Sequence, residues 1–334
     1  MFPPGQNIPT KQLDKEGRIF TEINNIPNTN ANVVTTVRTS NQIIKEKHDP
    51  DIPVLQITVV NSQTIQKGTK ILIDSRGLRN IKSLRKEQDN FVYFGYSENI
   101  NETNQNADEA IDFILPPNKD NTNIKSNINY DKYLGRYFQI YYNFSLNGYF
   151  LRDLGNGLGT FIKIKDSMLL KDNSLINIGD CYIVINFDPP DIRTNPATQM
   201  EDNFGTVESH LQGINKTLIL KVHNEKNDNK TKIYSFEPSK GIVRIGRRKH
   251  GNDIEIDDPL ASKTNCNIQY QHKEGWVIRD GNELMSSTGN KQITHSTNGT
   301  WILAIEDFRI YDGMIFKGHF NLFTCNLKEI VKEE

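Results

Sequence analysis

From Pro53 onward the chain is a succession of short apolar or alternating runs: "VLQITVV", "KILID", "FVYFGY", "IDFIL", "FQIYY", "YFLRD", "TFIKI" and "CYIVINF". After residue 215 a second series begins, with "TLILKV", "KIYSF", "IVRIG", "DIEID", "CNIQYQ", "WVIRD", "TWILAI", "MIFKG" and "FNLFTC". Each run is rich in β-branched and aromatic residues and is bounded by Gly, Asn, Asp or Pro, the signature of strands joined by turns. Long amphipathic patterns of helical period are absent, so an all-β chain of sandwiches or barrels is expected.

The punctuation between the runs divides the chain. With 334 residues there is room for about two domains that each bury a core. Residues 1–50 are polar and lack sustained periodicity, which predicts a tail that does not order by itself. Residues 189–215, with their prolines and acids, read as a linker between a first β-domain at 51–188 and a second at 216–327; residues 328–334 form a charged C-terminal tail. The two halves resemble each other. "NGYFLRD" (147–153) and "EGWVIRD" (274–280) align without a gap at an offset of 127; Ile140 and Ile268 fit 128, and Gly159-Thr160-Phe161 meets Gly299-Thr300-Trp301 at 140. The second copy thus carries about 13 extra residues within "GNELMSSTGNKQITH", and the first about 23 in an earlier loop around "PPNKDNTNIKSNINYDKY". Insertions confined to loops of a repeated framework are what a duplicated domain shows.

Composition excludes several functions. The 40 basic and 41 acidic residues give a net charge of −1, so no global field recruits nucleic acid or an anionic membrane. No apolar run reaches the roughly 18 residues of a membrane span, and "MFPPGQNIPTKQ" does not read as a signal peptide. The expectation is an intracellular protein, cytoplasmic or nuclear, with a cytoskeletal or ciliary assembly as one setting. Cys181, Cys266 and Cys325 lie far apart in strand-like runs and read as buried thiols. The histidines form no metal-ligand spacing, "GNGLGT" fits neither GxGxxG nor GxxxxGK[ST], and no GxSxG elbow supports a triad of Ser262, His295 and Asp280. No catalytic residue, metal or cofactor is therefore expected. The Asn298-Gly299-Thr300 triplet reads as a hairpin turn or a ligand loop rather than a glycosylation site, since similar triplets begin at Asn101, Asn143, Asn215 and Asn229 in this Asn-rich chain.

The second half carries ordered landmarks: Gly-Arg ending "IVRIGR", N-D-I before an acidic turn, "SKTN" entering the next strand, "WVIRD", "STNGT", and "DGMIFKG" near the close. In this series, roughly 215–327 resembles the forkhead-associated (FHA) family. Asn265 stands where the family has a histidine that braces the loop. The resemblance implies an eleven-stranded β-sandwich, two in tandem for this chain, whose loops bind phosphothreonine peptides at one end. A phosphothreonine brings about −1.5 to −2 charges and three acceptor oxygens, so its site needs a fixed cation and short donors. Arg247 would offer a guanidinium fork from a strand end, Ser262 a hydroxyl, and Lys263, with Arg248 as a secondary candidate, a mobile charge. Asn298 would clamp the peptide main chain, Gly299 would let the loop turn, and Thr297 is a secondary neighbour. Singly, each has a plainer reading: Arg247 in a solvated basic turn, Asn298-Gly299 in a hairpin. Trp276, Ile278, Trp301 and Ile302 fit a core better than a ligand surface.

On the first half the same pattern keeps the framework and loses the polar site. Tyr96 stands at the Arg position, Leu134 and Tyr137 at the Ser and His positions, and Leu158 at the Asn position; Arg136 lies one step out of register. The expected function is a non-catalytic adaptor. Its second domain would bind phosphothreonine-containing proteins, while the first domain and the N-terminal tail hold other protein subunits. The competing expectation is a structural subunit of a large assembly that uses both domains independently of phosphorylation.

Overall fold

The computed structural model describes residues 12–13, 19–20, 52–83, 85, 89–97, 110–117, 134–188, 215–224, 231–285 and 291–328. The rest of the 1–50 tail, the linker up to residue 214, residues 118–133 of the long first-half loop, the 286–290 tip of the second-half insertion and residues 329–334 lie outside them. Apart from one short 3-10 turn at Pro238–Lys240, the regular elements among the described residues are strands. A small ladder joins β1 (Gln12–Leu13) to β2 (Ile19–Phe20). The first half then supplies β3 (Val54–Asn61), β4 (Lys70–Asp74), β5 (Gly77–Leu78), β6 (Phe91–Tyr96), β7 (Phe113–Ile114), β8 (Gly135–Asn143), β9 (Gly148–Asp153), β10 (Thr160–Lys163), β11 (Ser167–Leu169), β12 (Leu175–Ile178) and β13 (Cys181–Asp188). The second supplies β14 (Thr217–Asn224), β15 (Lys232–Phe236), β16 (Ile242–Arg247), β17 (Ile254–Ile256), β18 (Cys266–Gln271), β19 (Gly275–Asp280), β20 (Asn282–Met285), β21 (Lys291–Thr294), β22 (Trp301–Leu303), β23 (Phe308–Arg309), β24 (Ile315–Gly318) and β25 (Asn321–Lys328).

These strands form one large sheet and two smaller ones. The large sheet runs β15-β14-β13-β12-β22-β10-β24-β25-β3-β4-β5. The small sheets, β7-β6-β8-β9-β23 and β17-β16-β18-β19-β11, have five strands each. The second-half insertion is a separate hairpin, β20 against β21, registered from Asn282↔Thr294 to Met285↔Lys291.

The strand order shows that neither sandwich is closed by one contiguous stretch of chain. The first-half strands β3 to β10 are completed by β23, β24 and β25 from the second half: β25 pairs with β3, β24 with β10 and β23 with β9. In return β11, β12 and β13 complete the second sandwich, on β19, β22 and β14. The expected segments 51–188 and 216–327 supply these strands, yet three strands of each complete the other segment's sandwich. The order of the large sheet is symmetric about the β22-β10 pair, so the two sets of three strands occupy equivalent slots, as in domain swapping between protomers.

The crossing point is an antiparallel ladder between β10 and β22. Ile162 lies opposite Ile302, its own counterpart at the offset of 140, flanked by Phe161↔Leu303 and Lys163↔Trp301. The ladder extends symmetrically: Ile164 N donates to Thr300 O and Ala304 N to Thr160 O, both at 2.9 Å. A pseudo-two-fold axis thus passes through the Ile162/Ile302 pair. Between β10 and β11 only residues 164–166 intervene. Running straight across spares the chain a reversal within three residues and adds these ladder hydrogen bonds, which a self-closed sandwich would lack.

The core follows the alternation. Trp276, Ile278 and Ile162 are fully buried and Ile302 is nearly so, as the sequence predicts for all but Ile162, which it did not single out; burying each side chain contributes about 1.5–3 kcal/mol. Trp301 is half-buried instead, on the outer face of the large sheet in a small cluster with Phe161, Leu175, Val184, Tyr182 and Leu303. Lys317 crosses this cluster, 5.0 Å from the Phe161 ring and 4.8 Å from Trp301, and bonds Asn177, its counterpart at the same offset. Burial pushes its pKa down to about 8. The three cysteines are free and buried, and burial raises all three thiol pKa values, that of Cys181 to about 12.

This topology predicts that segments 51–188 and 216–327, produced separately, do not form closed monomeric sandwiches. Mixing them should yield a one-to-one complex by analytical ultracentrifugation and restore the near-ultraviolet circular dichroism of the intact chain. Two stable folded monomers that ignore each other would contradict the observed pairing.

Candidate functional site

At one end of the second sandwich three loops are tied together by hydrogen bonds of main chain and side chain. Arg247 ends β16, and its amide donates to Ser262 O at 2.8 Å. The Ser262 hydroxyl accepts from Thr297 N at 2.9 Å, and Asn298 Nδ2 donates to Leu260 O at 2.7 Å. These contacts place Arg247, Ser262, Lys263, Thr297 and Asn298 side by side, although they arise from segments far apart in sequence. The half-buried Arg247 guanidinium has no hydrogen-bond or ion-pair partner among the described residues. Lys263 is exposed. Arg248 is turned to an exposed ion pair with Asp257 at 3.3 Å, which leaves it less available than Lys263.

Close approach explains Gly246, the residue before Arg247. A Cβ there would stand 2.3 Å from Lys263 O, so any side chain would push the loop away from the strand end. Asn252, from the N-D-I motif, clamps both sides of this contact: its Nδ2 donates to Lys263 O at 2.7 Å and to Arg247 O at 3.2 Å. Gly299 has φ +83°, a conformation that side chains resist, so the turn reading and the ligand-loop reading of Asn298-Gly299 are compatible.

Beneath the loops lies a buried polar network. Asn265, at the family's histidine position, is fully buried and satisfied on every side: its Oδ1 accepts from Ser262 N at 3.1 Å and its Nδ2 donates to Thr300 Oγ1 at 3.0 Å. Its own amide donates to Ile245 O, and its carbonyl accepts from Gly281 N. Thr300 donates on to Asp280 Oδ1 at 2.7 Å. Asp280 also accepts from Ser296 Oγ at 2.6 Å and Ser296 N at 3.1 Å, with His295 Nδ1 at 3.4 Å. The carboxylate is therefore a buried anchor for the 295–300 loop. Among the described residues no hydrogen bond joins Ser262 to His295, so the imagined triad does not assemble. Asparagine thus performs the bracing that the resemblance assigns to a histidine.

The exchanged strands also reach this site. Gly179 and Asp180, in the β12–β13 turn of the first half, lie under the Leu260 loop: Asp180 N donates to Asp258 Oδ2 at 2.7 Å, and a Cβ on Gly179 would stand 2.3 Å from that oxygen. Asp258 in turn accepts from Leu260 N at 2.8 Å. Sequence reasoning finds Asn252 through its motif. It misses the Asn265 and Asp280 network and the first-half turn, whose partners are distant in sequence.

The equivalent end of the first sandwich is filled with rings. Tyr137 is buried and packs against His319, centroids 4.6 Å apart, while His319 meets Phe320 at 4.1 Å. Burial pushes the His319 pKa down to about 4, so the ring is neutral near pH 7. Leu158 and Phe320 are partly exposed at the rim, and Tyr96 packs against the core. A register shift beside Gly95 sets Arg136 opposite it, but the Arg136 side chain donates to Ala110 O at 2.9 Å and covers the Tyr93 ring at 3.8 Å. None of the matching positions presents a cation to this loop end. Asp153, at the position that matches Asp280, accepts from Gly155 N at 2.8 Å and lies beside Thr160, with fewer close donors than Asp280. Burial, partly offset by the neighbouring Thr160 and by the Gly155 amide, raises its pKa to about 6.

Among the described residues no group of metal-ligating side chains is present. Residues 243–317 match the model of the FHA domain, a family of interaction modules. The match runs from β16 into β24, and its last strands sit in the first sandwich. Two solved structures are similar. The FHA domain of a hypothetical protein of Arabidopsis thaliana is 24% identical over 29% of this chain and 75% of its own, with a TM-score of 0.14. EmbR of Mycobacterium tuberculosis, in complex with a low-affinity phosphopeptide, is 21% identical over 35% of this chain and 25% of its own, with a TM-score of 0.15. No curated protein matches the chain. Among the described residues no helix is long and apolar enough to cross a membrane.

Two variants test the network and its degenerate twin. Asn265→Ala leaves Ser262 N and the Thr300 hydroxyl each short of a partner and should destabilise the chain by about 1–3 kcal/mol in denaturant titrations. Asp153 has a folded-state pKa near 6 against an ordinary 3.8, so the folded chain holds more protons between about pH 4 and 6. Its contribution to stability is fully present below about pH 4 and is lost as pH rises through 6. Asp153→Asn should flatten that slope and stabilise the chain at pH 7 by roughly 2–3 kcal/mol, at 1.36 kcal/mol per unit.

Proposed function

We propose that the protein is a non-catalytic adaptor whose second-half loop cluster binds phosphothreonine-containing proteins. The observation that carries this reading is the Arg247 guanidinium. It is fixed at a strand end, unpaired among the described residues, and bonded through its own amide to the Ser262 loop. Arg247 supplies the charge, the Ser262 hydroxyl retains its hydrogen for donation because its oxygen already accepts from Thr297 N, and the exposed Lys263 adds a mobile ammonium. Asn298 Nδ2 is held by Leu260 O, which leaves its Oδ1 to accept from a peptide amide. A threonine methyl buried beside the phosphate favours threonine over serine by about 0.8 kcal/mol, a few-fold in affinity.

The first sandwich and the N-terminal tail take the part of holding other subunits, with no nucleic acid or membrane as partner. The rings at its loop end exclude a phosphate and suit an unphosphorylated protein. That filled end also favours the competing reading, a structural subunit in which both sandwiches dock independently of phosphorylation.

Calorimetric or fluorescence titration of the full chain with phosphothreonine peptides and their unphosphorylated twins separates the two. Only the phosphorylated set should bind. Arg247→Ala should weaken it by about 1.5–3 kcal/mol per charge-assisted hydrogen bond lost, tenfold or more. Equal binding of both peptide sets would remove the adaptor reading in favour of the structural one.

A further inference from the structure

The turn that presents Asn298 is covered by a residue from the other half of the chain. Lys163, the last residue of β10, lies opposite Trp301 across the β10–β22 ladder. Its stem runs along Gly299: Cε, Cδ and Cγ would stand 2.5, 3.2 and 3.2 Å from a Cβ at that position. Trp301, on the same face, donates from Nε1 to Asn298 O at 3.0 Å, so lysine, tryptophan and turn form one continuous surface. The Lys163 ammonium has no hydrogen-bond or ion-pair partner among the described residues. Its neighbour on that face, Lys317, is committed to Asn177.

The pseudo-two-fold axis supplies a control. The counterpart of Lys163 is Leu303, which lies in the same way against Gly159, Cδ1 3.0 Å from where a Cβ would be. A cation is thus placed beside the turn that kept its asparagine, and an apolar residue beside the turn that has Leu158 instead. The stem alone would cover either glycine, so packing does not require the charge.

We propose that Lys163 is a specificity-determining residue for the ligand of the second-half site: it selects phosphopeptides with an acidic side chain in the segment that passes over Asn298-Gly299. This rests on the phosphothreonine reading above. The phosphate is met by Arg247, Ser262 and Lys263, whereas Lys163 meets the peptide downstream of the turn. The selection exists only because β10 crosses to β22, so the first half contributes to recognition without a phosphate site of its own.

The test uses the full chain and a series of phosphothreonine peptides in which each position flanking the phosphothreonine is Asp or Ala. One acidic position should tighten binding by about two- to fivefold, the size an exposed ion pair supplies, and the gain should shrink at high salt. Lys163→Leu, the residue its counterpart uses, should erase the preference and leave the all-Ala phosphopeptide bound as before; Lys163→Arg should keep it. If Leu disturbs the thermal midpoint, Lys163→Met preserves the unbranched stem and serves instead. No binding of any phosphopeptide would sink the underlying reading. Phosphopeptide binding with no acidic preference, or one that survives Lys163→Leu, would overturn this inference alone. So would an equal loss for the all-Ala peptide, which would make Lys163 a phosphate contact.

Discussion

The antiparallel ladder of residues 160–164 against 300–304 is the constraint on which the rest of the structure depends. It fixes the pseudo-two-fold axis, merges the two outer sheets into one of eleven strands, and commits each half to close the other's sandwich. Because the two copies share a framework, the exchanged strands make equivalent contacts in either slot. Short connections and the extra ladder bonds tip the balance towards crossing. The cost is independence: the loop end of the second sandwich rests on the Gly179-Asp180 turn and is flanked by Lys163, both from the first half.

The two loop ends show what separates a polar site from a filled one on the same scaffold. In the second sandwich a buried carboxylate, a threonine hydroxyl and an asparagine amide saturate one another and hold the Ser262 and Asn298 loops in place. A fully satisfied network of this kind rigidifies its surroundings. The first sandwich keeps the aspartate and the threonine but puts Tyr137 where Asn265 would stand, and the network thins: Asp153 keeps fewer close donors than Asp280, and burial raises its pKa. Loss of the loop brace and loss of the site's charged and polar positions go together.

Much of this was legible in the sequence because it depends on local periodicity. The strands follow from alternation and turn residues, and the β10–β22 ladder sets Ile162 opposite Ile302, the pair that the offset of 140 relates. Arg247, Ser262 and Asn298 were visible as an ordered series of landmarks. The bracing by Asn265 was not, since an asparagine at a histidine position looks like a defect until its four hydrogen-bond partners are seen. Lys163 carried no signal, because its importance lies in which strand it faces.

By itself the sequence determined the all-β class and the chemistry available at each loop end, since side-chain type and period-two patterning are properties of a single stretch of chain. Which copy's last three strands close which sandwich was decided by tertiary structure alone. Both choices bury the same apolar faces and use the same strand pairing rules. Only the three-dimensional path through residues 164–166, and the hydrogen bonds gained where the two halves cross, distinguishes them.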